Sequence, residues 1–321
     1  MTKTKKLSDN HKKLYHYTTW EGLDGILDSQ CLWATHHKHS NDHSEGEVFK
    51  KQLLPFLISA IKNEIIKRDG IGVVKKANKC SAPIGGWEGV NKLEAEKYLD
   101  SMYSAFNDSF IGPFVFSFCA HLGAYEKEHG ILSQWRGYAN PGVALVIDAK
   151  KLEKLKTLEV AKYSKNHYAV ALEKVVYEGD PENSFEKAFK KEIQGIENYY
   201  RALIVSPKPP PSAKLANKAL NTLLRCTCLC KSQGFHEEKE VRIIAISSEN
   251  GKEGKKKPKI DFRNDGRPYI EIFKDLGQKI PIEKIIVGPQ NDQMRKYEAL
   301  KLRTKGMHID VVVSEIPYIG K

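Results

Sequence analysis

The sequence predicts an α+β fold, and three observations carry that expectation. Two runs, "PFVFSFC" at 113–119 and "GVALVID" at 142–148, have the length and apolar content of central strands. Stretches such as "WEGLDGIL" place apolar residues at helical spacing. Strands and helices then mix without the regular alternation of a doubly wound sheet.

In chain order, residues 1–13 form a basic polar tail, and 14–321 read as one domain. "LYHYTT" from Leu14 is a short strand rich in aromatic and β-branched residues. The helix after it spaces Leu23, Ile26 and Leu27 on one face, with Thr18 and Glu21 as a capping box. "CLWAT" at 31–35 is a second strand. Residues 48–68 are helical, broken or started at Pro55, and 69–91, rich in glycine and lysine, read as a loop. A helix follows over about 91–106, and "ILSQWRGYANPG" separates the two central strands, ending in a turn at Asn140–Gly142. A strand candidate at 169–179 and helices at 184–204 and 213–231 come next. "SPKPPPS" at 206–212 is a stiff proline-rich joint inside the domain. "GFHEEKEVRIIAIS" supplies a strand from about 237 to 247, ahead of a cationic tip, "ENGKEGKKKPK". "IIVGP", a helix near 291–305 and "IDVVVSEIPY" close the chain as a β-α-β unit.

Composition narrows the function. Of 321 residues 40% are hydrophobic, enough for a sizeable core, while no apolar run approaches the roughly 18 residues of a membrane span. The basic start has no apolar segment behind it, unlike a secretory signal. Cys31, Cys80, Cys119, Cys226, Cys228 and Cys230 form no spaced framework, so they read as free thiols of a reducing cytoplasm. Fifty-two basic against 40 acidic side chains leave a charge of +12, which suits a polyanionic or phosphorylated partner.

Four groups of residues invite a chemical reading. "THHKHSNDHSEGE" offers His36, His37, His39, His43 and Asp42 as zinc ligands, but its Asn, Asp, Ser and Gly favour a polar loop. Cys226 and Cys230 share a helix face as small buried residues would; His236 nearby is the one hint of metal. On a strand, Glu238 and Glu240 point to one side, a pairing kept for a cation, acid/base work or a salt bridge; the plain alternative pairs Arg242 with a carboxylate. In "LSQWRGYA", Trp135, Arg136 and Tyr138 form either a stacking surface for a flat ring or core packing with an ion pair.

Taken together, "LYHYTTWEGLDGILDSQCLWAT…NDHSE", "FVFSFC", "LSQWRGYA…GVALVID", "GFHEEKEVRI", "IIVGP" and "SEIPY" resemble the bacterial domain of unknown function 2971 family, from about Leu14 to Tyr318. That family in turn resembles a distant branch of the ADP-ribosyltransferase superfamily. The resemblance implies a split α+β core, two small sheets with surrounding helices, holding NAD as substrate in a cleft without a metal. On this pattern His16, with Tyr17 and Thr18 beside it, holds the adenosine ribose or phosphate. Ser117 shapes the nicotinamide pocket, and Glu240, with Glu238 before it in Glu-x-Glu, contacts the nicotinamide ribose. Asn41, Asp42 and Glu45 match an N-D-x-x-E feature that orders a loop at the cleft mouth, and Asn41 joins the cofactor-binding set.

The chemistry fits that placement. Cleaving the nicotinamide bond builds positive charge on the ribose, which a carboxylate at the 2′-hydroxyl stabilises most in the transition state. Arg136 can then meet the pyrophosphate, and Trp135 or Tyr138 can stack on nicotinamide. The expectation is a cytoplasmic NAD-dependent ADP-ribosyltransferase, a toxin or phage-defence effector modifying nucleic acid or protein, with a neutralising partner protein as a further possibility. The alternatives are an NAD glycohydrolase, a catalytically silent binder of NAD, ADP-ribose or nucleic acid and, on the histidines, a metal-dependent nuclease.

Overall fold

A computed structural model describes residues 6–39, 45–107, 112–163, 168–181, 183–205, 213–247 and 257–318. The elements begin with α1 (Leu7–Asn10), β1 (Lys13–Thr19), α2 (Trp20–Ser29) and β2 (Leu32–His36). Three helices follow, α3 (Glu45–Asp69), α4 (Gly72–Cys80) and α5 (Gly86–Asn107). Then come β3 (Pro113–Cys119), α6 (Ala124–His129), α7 (Leu132–Tyr138), β4 (Gly142–Asp148) and α8 (Ala149–Lys162). After β5 (Tyr168–Lys174) and β6 (Val176–Tyr177) lie α9 (Phe185–Val205), α10 (Ala213–Thr227) and β7 (Cys230–Lys231). The chain closes with β8 (Glu240–Ser247), β9 (Ile260–Phe262), β10 (Pro268–Ile272), β11 (Ile282–Val287), α11 (Gln293–Arg303) and β12 (Asp310–Val313).

The mixture of helices and strands is the α+β class. Two units divide the chain, and each returns to itself through the sequence. The first takes the stretches up to His39, Phe114–Val175 and from His236 on; the second takes Ser40–Pro113 and Val176–Phe235.

Where the family resemblance implies two small sheets, the first unit has one ten-stranded sheet, with the path β12-β11-β4-β1-β3-β2-β10-β9 and with β8 joining β3 and β5. Most neighbours are antiparallel; β11 and β12 run parallel around α11, as the closing β-α-β pattern requires. Alternation along the strands sorts two faces. Leu14, Phe114, Phe116, Phe118, Leu145 and Ile243 share one core with Leu23, Ile26 and Leu27 of α2 and Leu152 and Leu155 of α8. Each such side chain contributes roughly 1.5–3 kcal/mol by leaving water. The opposite face carries Tyr15, Tyr17, Cys119, Ala144 and Val146, covered by Trp135 and Ala139.

The second unit is helical apart from the two-stranded parallel pair β6–β7. Phe49, Phe185 and Phe189 pack ring to ring between α3 and α9, and Tyr98 packs on Tyr200 with centroids 4.1 Å apart. Cys226, Cys228 and Cys230 are buried here and form no disulfide.

Several expectations shift. Pro55 lies inside one helix of 25 residues. The expected loop at 69–91 is largely helix, because half-buried Val73, Val74 and Ala77 recur at helical spacing while Gly70 and Gly85, at φ +76° and +88°, mark the breaks. Thr19, one residue after the expected Thr18, caps α2, its Oγ1 accepting from Gly22 N at 3.3 Å. The strand expected at 169–179 divides into β5 and β6, and the helix expected to run to 231 ends at Thr227. The 206–212 segment lies outside the described residues, and the helices it joins, α9 and α10, both belong to the second unit.

Candidate functional site

β1 is the origin of the site, because its alternation sends neighbouring residues to opposite faces. His16 pairs in register with Leu145 and its ring packs on Phe116, 4.2 Å between centroids, on the helix-covered face. β1 and β3 pair with Tyr15 opposite Cys119. Beyond it His16 Nδ1 lies 2.9 Å from the Ser117 carbonyl, so Nδ1–H donates and Nε2 keeps its lone pair. Burial, with the Arg263 charge adding to it against the carbonyl bond, lowers the His16 pKa to about 4, so the ring is neutral at pH 7.

Tyr17 points the other way. Its hydroxyl oxygen accepts from Ile131 N (2.8 Å) and lies 3.1 Å from His121 Nε2. His121 Nδ1 sits 2.7 Å from the Glu126 carbonyl and must donate to it, so Nε2 accepts the Tyr17 proton. Tyr15 stacks on the same imidazole at 3.7 Å. Burial holds His121 down to about 4 and raises Tyr15 to about 12, so this network is uncharged. Cys119 donates from Sγ to Gln134 Oε1 at 3.1 Å, beside it.

Trp135 is fully buried and edge-on to Tyr17, and its Nε1–H donates to the His129 carbonyl at 3.0 Å. A Cβ on Gly130, at φ +83°, would come 2.7 Å from the indole, so that position needs glycine. Of the two readings of "WRGY", Trp135 follows core packing. Arg136 and Tyr138 are exposed on the same helix; Arg136 lies over the Tyr318 ring at 4.9 Å.

The Glu-x-Glu segment is not a continuous strand. Residues 233–238 form a 3₁₀ turn, Lys239 sits at φ +45°, and β8 starts at Glu240, so strand alternation does not set Glu238 beside Glu240. The three residues after Glu237 thus take up three different backbone conformations, which a strand pattern read from charges alone does not foresee. Glu238 accepts from the Tyr138 hydroxyl at 3.2 Å. Glu240 is 5% exposed and engages Arg242, 3% exposed, through Nε–Oε1 at 2.7 Å and NH2–Oε2 at 2.9 Å. Val241, Ile243 and Ala245 belong to the helix-covered core, so Glu240 and Arg242 lie on the opposite face.

The residues chosen from sequence therefore divide. His16 is on one face, Tyr17, Trp135 and Glu240 on the other, and the exposed Ser117 side chain follows Cys119 to that second face. Thr18 lies against the first turn of α2, where a Cβ on Gly22 would meet its Oγ1. Asn41, Asp42 and His43 fall outside the described residues. His36, His37 and His39 sit ring to ring, 4.9 and 6.2 Å from His36, and burial lowers His36 to about 4 and His37 to about 3. No group of three or more metal-ligating side chains converges among the described residues. Likewise, no helix among them is long and apolar enough to cross a membrane.

Sequence reading missed His121, Cys119 and Gln134, which no spacing rule joins, and Glu159 in α8. Among the described residues buried Glu159 accepts from two neutral donors, the Tyr168 hydroxyl and Phe273 N, both at 3.1 Å, and burial lifts its pKa to about 7. A cavity of about 520 Å³ lies apart from all of these, lined by Lys284, Tyr297, Lys301, Lys305, His308 and Asp310 among others.

Residues 134–243 match a family described as a protein of unknown function, DUF2971. The matched stretch holds Trp135, Arg136, Tyr138, Glu238, Glu240 and Arg242; His16, Ser117 and Arg263 lie outside it. No curated protein and no solved structure matches.

Proposed function

We propose, taking that family match as the premise, that the chain binds NAD or ADP-ribose without turning it over through Glu240. The Glu240–Arg242 pair carries this reading. A glutamate that stabilises an oxocarbenium-like ribose must offer an oxygen to the 2′-hydroxyl. Both oxygens of Glu240 are engaged by one guanidinium in a nearly enclosed pair. Turning the carboxylate away from Arg242 to meet a ligand breaks a buried ion pair, at about 3–5 kcal/mol. His16 supports the binding half, since its neutral ring leaves Nε2 as an acceptor for a ribose hydroxyl.

One observation favours a second reading, the NAD-dependent ADP-ribosyltransferase acting on a nucleic acid or protein, in a toxin or phage-defence setting. Glu238 is more accessible than Glu240 and accepts from exposed Tyr138, so it can be the carboxylate that meets the ribose. In that case nicotinamide leaves with the bonding electrons and the acceptor, or water in a glycohydrolase, attacks the anomeric carbon.

Calorimetric titration with NAD and ADP-ribose, run beside an assay of released nicotinamide, decides between them. Binding without release is expected, with His16→Ala weakening it about tenfold for one lost hydrogen bond. Release that vanishes in Glu238→Gln replaces the silent binder with the transferase or glycohydrolase. Failure of both ligands to bind removes both readings.

A further inference from the structure

On the same sheet, β2, β9 and β10 assemble a platform that sequence order conceals. Register sets Thr35 opposite Tyr269 and Trp33 opposite Glu271, so Trp33, Thr35 and Tyr269 share one face. The Trp33 and Tyr269 rings stack at 4.5 Å and 27°, and Trp33 remains 37% exposed. Arg263, just after β9, lies with Cζ 5.7 Å from the Trp33 ring and 6.0 Å from that of Tyr269. Its NH2 donates to Thr35 Oγ1 at 3.1 Å and to the Trp33 carbonyl at 3.5 Å.

What distinguishes Arg263 is the lack of a counter-ion in a half-buried position, since Arg136 and Arg295, the other arginines of the described residues without a carboxylate, are exposed. Arg68, Arg225, Arg242, Arg267 and Arg303 each hold a carboxylate. No carboxylate of the described residues lies within 4.0 Å of Arg263, and its Nε is enclosed without an acceptor. The acids nearby are already engaged: Asp265 with Arg267 at 2.6 Å, Asp261 with Lys259 at 3.6 Å, and Glu271 with Lys274. A half-buried guanidinium with no anion carries a desolvation cost that an incoming anion offsets. Its planar fork matches a phosphate in two-point fashion. An exposed indole backed by a second ring stacks any nucleobase.

We propose that this platform binds a nucleotide, the phosphate at Arg263 and the base on Trp33, either as a free nucleotide or within a single-stranded nucleic acid. The chain's charge of +12 suits such a ligand. The site shares no residue with His16, Glu238 or Glu240, so it stands without the NAD reading.

The test titrates the whole protein with fluorescein-labelled dT12 by anisotropy and with AMP by calorimetry, at two salt concentrations. Binding is expected to weaken about tenfold in Trp33→Ala and in Arg263→Gln and to recover in Trp33→Tyr. AMP binding as tight as that of dT12, with little salt dependence, assigns the site to free nucleotides. Strong salt dependence with weak AMP binding assigns it to single strands. The proposal is overturned if the wild type binds neither probe, or if its binding is unchanged in both Trp33→Ala and Arg263→Gln while thermal unfolding shows both variants folded.

Discussion

Arg242 and Arg263 serve the same sheet and end in opposite electrostatic states. Arg242 is 3% exposed and grips both oxygens of Glu240, two residues away on the same strand. Arg263 is half-buried, lies over two aromatic rings, and has no carboxylate within 4.0 Å among the described residues. The first arrangement is closed: every charge has its answer inside the protein, and outside ligands have nothing to compete for. The second is open, because the protein supplies the shape and part of the hydrogen bonding and leaves the charge unanswered. A conspicuous acidic motif can thus be structural, while an inconspicuous arginine marks the surface where a ligand gains most.

The sharpest test of the contrast removes one partner of the closed pair. Glu240→Ala should lower stability by about 3–5 kcal/mol in urea unfolding, and Glu240→Leu with Arg242→Met together should recover most of the loss. A cost for Glu240→Ala as small as that of an exposed charge would break the comparison.

Glu159 sharpens it from the acidic side, since this buried carboxyl has neutral donors where Glu240 has a cation. Its folded pKa, about 7, lies above the unfolded value of 4.5. Its stabilising contribution is therefore complete below pH 4.5 and is lost as pH rises through 7. The depressed histidines His16 and His121 work in the opposite sense, with stability present above 6.5 and lost as pH falls towards 4. Urea midpoints at pH 5 and pH 8 should separate the wild type from Glu159→Gln, the variant gaining up to about 3 kcal/mol at the higher pH. Parallel pH curves for the two proteins would remove Glu159 from the account.

A smaller effect is expected where the network is neutral throughout. Tyr17→Phe strips the partner from Ile131 N and His121 Nε2, and should cost about 1–3 kcal/mol in thermal or urea unfolding. Least of all, Arg263→Gln should change stability by under about 0.5 kcal/mol, because it removes no ion pair. A loss as large as that of Glu240→Ala would mean that Arg263 is as structural as Arg242.

Much of the fold was legible because local patterns carry it. β3 and β4 fall where continuous apolar runs place them, and α2 follows the spacing of Leu23, Ile26 and Leu27. The misreadings are also local. Glycine and lysine at 69–91 suggested a loop, but the glycines end helices there, and the lysines line the exposed side of α4. Around Lys239 a positive φ separates Glu238 from the strand, a backbone feature that charge spacing does not encode.

By itself, the sequence determined the α+β class, the two central strands, the amphipathic helices, the basic balance and the pool of candidate side chains. Those properties are set by neighbours within a few positions, through alternation, helical spacing and capping. The tertiary structure alone decided which candidates meet. It placed His16 and Tyr17 back to back across β1, closed Glu240 with Arg242, enclosed Trp135, and brought Arg263 onto Thr35 from 228 residues away. The reason is physical: a charge becomes a structural fixture or a binding feature according to burial and to the partner within reach, and both depend on distant strands closing one sheet.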